Sequence, residues 1–99
     1  MEKPLTINDF EPLVGSEFYV PYFDREGNHS SLTLTEATKT GNPHPGRTEP
    51  FSLLFEGPKA LALDQGTYLL HHDSLGDLTI FIVPIAESGD IRQYQSIFN

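Results

Sequence analysis

Hydrophobic and polar residues alternate in short segments along this chain, and one segment in its second half breaks the alternation. Residues 78–83 (LTIFIV) are nearly all apolar, whereas residues 67–72 and the turn-forming residues 73–77 before them are mixed. A strand with one face in water alternates, and a strand covered on both faces does not. We therefore expect 78–83 to be a central strand with a packed layer on each side. The two faces would be formed by Leu78, Ile80 and Ile82 and by Phe81, Val83 and Ile85.

The same apolar segment is also compatible with a buried helix. Its short length and its β-branched residues favour a strand. Pro84 follows it directly and lacks a backbone donor, so we expect the pairing to weaken or to bulge there.

The remaining alternating segments predict further strands with Gly- and Pro-containing turns between them. In the last of these strands, Tyr94 and Phe98 share one face, and Ile91 and Ile97 lie on the other. We expect strand 51–55 to be stopped by Glu56-Gly57-Pro58. The predicted strands cover residues 17–23, 31–38, 51–55, 67–72, 78–83 and 91–98.

The N-terminal segment has the signals of a short helix. Thr6 and Asp9 have the spacing of a capping box, and Gly15 is a suitable residue after the helix end. Pro12 disfavours a regular helix interior, so we expect a short helix or a 3₁₀ turn there. This helix is our candidate for the layer over one face of the central strand. Its apolar face would be formed by Ile7, Phe10, Leu13 and Val14.

Four connections complete the predicted architecture: turns at residues 24–28 and 86–90, a Pro-rich loop at 40–50, and a connector at 59–65 with room for one helical turn. Short strands at regular spacing predict a mainly β fold. We expect a small antiparallel β-sandwich or barrel of about six strands with one short N-terminal helix, forming a single domain over residues 1–99.

Composition narrows the functional classes. The chain has no cysteine, which excludes disulfides, zinc–thiolate sites and cysteine nucleophiles. It carries 14 acidic and 6 basic residues, a formal charge of −8, which argues against nucleic-acid and anionic-membrane binding. The first residues contain no apolar leader, and no apolar run approaches the length of a membrane span. We predict a cytoplasmic protein, with assembly into an exported or surface structure left open.

Two histidine-containing motifs are candidate ligand sites. His71 and Asp73 fall on the same face of a predicted strand and could share a metal ion, whereas His72 points the other way. A third ligand at diagnostic spacing is missing, so plain polar residues at a strand end are the alternative. His44 lies between two prolines and suits a contact loop, or simply a stiff connection. We predict no cofactor.

Aromatic residues in the first predicted strand indicate a contact surface. Tyr19, Tyr22 and Phe23 cannot all face inward from one strand. Tyrosine is enriched at protein interfaces because it combines apolar area with a polar tip. Together with His44, these residues are our candidates for binding a protein partner, and ordinary strand aromatics are the alternative.

Several segments, in order along most of the chain, resemble a family of bacterial proteins of about this length and of unknown function. The resemblance brings no catalytic residues. It implies an assembly or adaptor role through genomic neighbours similar to phage-tail collar proteins. His71, His72 and the loop around His44 lie outside the resembling pattern. The segments are LTINDFEPLVG (5–15), EPFSLLFEGP (49–58), LDQGTYLL (63–70), LGDLTIFIVP (75–84) and YQSIFN (94–99).

We therefore predict a non-enzymatic domain that acts through protein contact or self-association, with the link to phage-tail-like structures that the resemblance implies. The alternative is a small-ligand or metal-binding β module around His71, Asp73 and His44. A third hypothesis is a hydrolase built on a carboxylate pair, which requires a deep pocket that holds two carboxyl groups.

Overall fold

A computed structural model describes residues 5–20, 30–41, 50–61 and 63–98. Six antiparallel strands form one sheet that closes into a barrel in the order β1-β2-β3-β6-β5-β4. The predicted mainly β fold with a short N-terminal helix is confirmed, as a barrel rather than a sandwich. The strands are β1 Glu17–Val20, β2 Ser30–Lys39, β3 Phe51–Pro58, β4 Gly66–His72, β5 Gly76–Ser88 and β6 Ile91–Phe98.

The barrel interior is filled by alternate residues of every strand. Leu32 and Leu34 of β2 are fully buried. Tyr94 of β6 is buried and Ile91 and Ile97 are exposed, so these residues lie on opposite faces as predicted, with Tyr94 inside. This alternation follows from the pleat of a strand, which sends neighbouring side chains to opposite faces. The other buried apolar residues are Ile7, Phe10, Phe18, Val20, Phe51, Leu53, Phe55, Leu61, Leu63, Leu70, Ile80 and Ile82.

The N-terminal helix α1 (Ile7–Phe10) closes one end of the barrel. Thr6 and Asp9 form the predicted capping box, and a 3₁₀ turn containing Pro12 follows the helix directly. The Phe10 ring centroid lies 5.7 Å from that of Phe51, which begins β3, and 5.7 Å from that of Phe98, which ends β6. The short helix therefore contributes to the core by filling the barrel mouth.

The prediction that β5 is covered on both faces is wrong. Ile80 and Ile82 are buried in the barrel, but Phe81 is 48% exposed and Ile85 is 47% exposed. A barrel has one interior, so each strand has only one covered face unless another element packs outside. The helix packs at the barrel end instead, and Val14, which was predicted to lie on its apolar face, comes after the 3₁₀ turn and is exposed.

Two strand ends differ from the sequence expectations. β5 continues past Pro84 to Ser88, with a register shift at Pro84 that confirms the expected irregularity, so the predicted 86–90 turn begins only after Ser88. Gly89 turns the chain with a φ of +59°, which glycine adopts without steric cost. Strand β3 also runs through Gly57 to Pro58, which pairs with Ile91 as its last residue. Proline is tolerated at a strand end because few ladder bonds remain to be lost.

The second end of the barrel is closed by the connector between β3 and β4. A 3₁₀ turn at Lys59–Leu61 confirms the helical turn expected there. The buried Leu63 donates its backbone N–H to the Tyr94 hydroxyl at 3.2 Å and accepts from Arg92 at its carbonyl at 3.3 Å. Two inward-facing side chains of β6 thus hold the connector across the barrel mouth.

Candidate functional site

A serine and a histidine meet where the helical segment joins β1, and this is the arrangement most like a catalytic pair. His72, at the end of β4, is buried, and its Nε2 lies 2.9 Å from the Ser16 hydroxyl. Its ring centroid lies 4.6 Å from that of Phe18. The two residues are separated by 56 positions in the chain, so only the strand order of the barrel brings them together.

The directions of the hydrogen bonds identify this pair as structural. The backbone N–H of Ser74 donates to His72 Nδ1 at 2.9 Å, which leaves the ring proton on Nε2 of the neutral imidazole. That proton points to the Ser16 hydroxyl, which in turn donates to the Leu13 carbonyl. Nucleophile activation needs the opposite direction, with the hydroxyl donating to an unprotonated nitrogen. The pair instead fastens the helical segment to β4.

The structure places the predicted metal candidates His71 and Asp73 close together, and it adds Asp77 on the other side of the His71 ring. Asp73 Oδ1 is 3.7 Å from His71 Nε2, whereas Asp77 Oδ1 is 2.9 Å from His71 Nδ1. The two carboxylates thus approach opposite edges of the ring, and an ion bound to either nitrogen would meet only one of them. The described residues hold no group of three or more His, Cys, Asp or Glu side chains that could bind a metal.

Of the predicted partner-binding residues, the described part of the chain contains only Tyr19. It lies on the outer surface of β1 between the buried Phe18 and Val20, and it pairs with His71 of β4. Its hydroxyl reaches Glu17 at 3.5 Å, at the limit of a hydrogen bond. Tyr22, Phe23 and His44 lie outside the described residues.

A feature that the sequence reasoning missed is an uncharged outer surface on four neighbouring strands. Phe81 of β5 and Ile97 of β6 are 48% and 58% exposed at its centre. The alternation around the inward Tyr94 was a signal that Ile97 is exposed. The exposure of Phe81 was not expected, because a second layer was predicted to cover that face of the strand. We call this surface the neutral face. It consists of Ser52, Leu54, Thr67, Leu69, Thr79, Phe81, Val83, Gln95 and Ile97.

An acidic recess of about 420 Å³ lies elsewhere on the outer wall, across β1, β2 and β3. Glu17 and Glu56 line it, together with Asp90 of the turn before β6. Ser31 donates to Glu17 at 3.4 Å and Gln93 donates to Glu56 at 3.0 Å. Glu17 and Glu56 are therefore already engaged by neighbouring side chains, and the recess is an open surface depression, which does not match the deep pocket that the hydrolase hypothesis requires.

These features define a small closed β-barrel with a helix in one mouth and an uncharged apolar surface outside. Among the described residues, none of the helices is long and apolar enough to span a lipid bilayer. The chain belongs to a family described as a domain of unknown function, DUF6916, whose model matches residues 5–98. The resemblance to a family of unknown function is thereby confirmed. Neither curated proteins nor solved structures gave a match.

Proposed function

We propose that this chain is a non-enzymatic domain that acts through protein contact on the outer surface of its barrel. The observation that supports the proposal is the exposure of Phe81 and Ile97 on a barrel whose interior is otherwise well filled. Large apolar side chains gathered on one outer surface are typical of interaction sites. The family resemblance adds an assembly or adaptor role, in a phage-tail-like structure, to this proposal.

The geometry around Ser16 and His72 supports a role without catalysis. Their hydrogen bonds point away from nucleophile activation, and His72 is buried against Phe18 rather than open to a substrate. Within the part of the chain that the structure describes, the Ser16–His72 pair holds two segments together, which supports a scaffold role.

Two measurements on the full chain test this proposal. Sedimentation velocity over a wide concentration range detects self-association, and pull-down from an extract of the source cells, followed by binding measurements with the purified candidate, detects other partners. We expect at least one specific association that is weakened by serine at Phe81 and Ile97. A monomer that binds nothing in either experiment would contradict the proposal.

A small-ligand-binding role is the alternative, and the acidic recess beside Glu17 and Glu56 is the observation that favours it. Its carboxylates would select a cationic ligand. Thermal melting in the presence of a panel of small amines and of zinc, nickel and copper tests this role. A rise in melting temperature that disappears in the Glu56→Gln variant would support this role. If no compound shifts the melting curve, the compounds of the panel are excluded as ligands.

A further inference from the structure

We propose that the neutral face is the contact surface for a second copy of this chain. This inference rests on the proposed protein-contact function and names its partner. It is carried by three observations on the described residues: the position of the exposed apolar side chains, the strand pairing beside them, and the distribution of charge over the barrel.

The two most exposed apolar residues of the neutral face lie on adjacent strands, next to the point where the pairing of β5 with β6 ends. Pairing between β5 and β6 begins at Val83 and Gln95, and Phe81 and Ile97 each lie two residues further along their strands on the same outer surface. The residues that pair with them on the other side, Thr67 with Phe81 and Ser52 with Ile97, are small and polar. The result is an exposed apolar centre whose paired neighbours on β3 and β4 are polar and uncharged, as in many contact surfaces.

The strand pairing is incomplete at the same place. Within the described residues, β5 pairs only with β4 from Gly76 to Ile82, and β6 pairs only with β3 from Ser96 to Phe98. Strand segments that pair on one side only are normally protected from other chains by charge, proline or a covering element. Here the outward side chains along the gap are Asp77, Thr79 and Phe81 on β5 and Ile97 on β6, so a charge protects only its far end and the end at Phe81 and Ile97 is apolar.

The charge distribution identifies a second copy as the partner. The chain carries a formal charge of −8, so two copies repel each other at long range, and contact costs least where neither surface carries charge. The neutral face meets this condition, because the nearest carboxylates, Glu56 and Asp77 on its own strands and Glu36 of β2 beside Leu54, lie at its borders. A basic partner would instead be recognised by carboxylates, and these are gathered in the recess on β1–β3.

The experiment measures dimerisation of the full chain by sedimentation velocity across a concentration series. The test variant is Phe81→Ser with Ile97→Ser, and the matched control is Ile91→Ser, because Ile91 is similarly exposed on β6 but lies outside the neutral face. We expect a dimer whose dissociation constant rises by about tenfold or more in the double variant and is unchanged in the control. Added salt should strengthen the dimer, because it screens the repulsion between two acidic copies.

Each other result contradicts the inference in a distinct way. A wild-type monomer that binds a different protein through Phe81 and Ile97 would exclude the second copy and leave the protein-contact function standing. A dimer that the double variant does not weaken, or that salt dissociates, would overturn the assignment of the neutral face. A chain that neither dimerises nor binds another protein would remove both proposals.

A second measurement covers the case in which the double variant does not fold. Amide hydrogen exchange of the wild-type chain is compared at concentrations below and above the dimerisation midpoint. We expect slower exchange at high concentration around Phe81 and Ile97, where pairing is one-sided, and no change around Ile91. Equal protection at both concentrations around Phe81 and Ile97 would contradict the inference.

Discussion

At one mouth of the barrel, Phe10 of the helix packs against the inward rings of Phe51 and Phe98, whereas at the other mouth Tyr94 and Arg92 hydrogen-bond to the backbone of Leu63. The first closure is apolar and depends on filling volume. The second holds a buried backbone segment whose polar groups need partners. One mouth of this barrel is thus closed by packed aromatic rings and the other by hydrogen bonds to a connector. Loss of side-chain volume should destabilise the first closure, and loss of a hydrogen-bonding group should destabilise the second.

The largest effect is expected from Phe10→Ala in the apolar closure. The substitution leaves a cavity among aromatic rings that are held by strands, and these rings can collapse only in part. We expect a loss of about 3–5 kcal/mol in the free energy of unfolding, measured by urea denaturation. Val14→Ala is the matched control, because Val14 belongs to the same N-terminal segment but is exposed, and it should change stability by less than about 0.5 kcal/mol. Equal losses in the two variants would show that Phe10 does not close the barrel.

Packing at the second mouth is tested by Gly57→Ala. Gly57 is buried, and a Cβ built on it would lie 2.5 Å from Cδ2 of Leu32, which is itself fully buried. We expect a loss of about 1–3 kcal/mol from overpacking. Gly66→Ala is the control, because a Cβ there meets only Tyr68 at an ordinary 3.7 Å. Thermal melting of both variants checks the difference, and an equally stable Gly57→Ala protein would show that Leu32 can move aside.

The polar closure is tested directly by Tyr94→Phe. Removing the hydroxyl leaves the buried N–H of Leu63 without its partner, and we expect a loss of about 1–2 kcal/mol in unfolding free energy. Tyr68→Phe is the control, because the Tyr68 hydroxyl bonds to the carbonyl of exposed Asp64, which water can satisfy. If both hydroxyl deletions cost the same, the connector is not held by Tyr94.

The smallest effect is expected from Glu87→Gln. Glu87 Oε2 lies 3.4 Å from Arg92 and 4.0 Å from Lys59, and all three side chains have access to water. Partly exposed ion pairs contribute little, so we expect a change below about 0.5 kcal/mol that shrinks further at high salt. A loss as large as that of Tyr94→Phe would mean that Glu87 is needed to orient Arg92 toward Leu63.

The local features of this fold were predictable, because their causes are local. The capping residues Thr6 and Asp9 and the helix-shortening Pro12 act within one turn of chain, and the alternation around Tyr94 indicates which face of β6 is inside. The exposure of Phe81 was not predictable from its apolar neighbours. An apolar outer face has the same pattern whether it packs against its own chain or against another molecule.

The serine–histidine pair shows the same limit at a single site. Alternation correctly separated His72 from His71, but Ser16 had no local signal that connected it with either. Their contact depends on β4 lying beside β1 in the barrel, which is a consequence of strand order. Strand order is decided by the packing of the whole core, so no short sequence pattern contains it.

Closure of the ring depends on an unequal pair of seams. Within the described residues, strand β1 pairs with β2 along its whole length but with β4 only through Tyr19 and His71. The Ser16–His72 bond reinforces this junction from the interior. The barrel therefore resembles a curved sheet that is joined into a ring along one short junction. Thermal opening should begin at this β1–β4 junction, well before the longer β2–β3 and β3–β6 ladders separate.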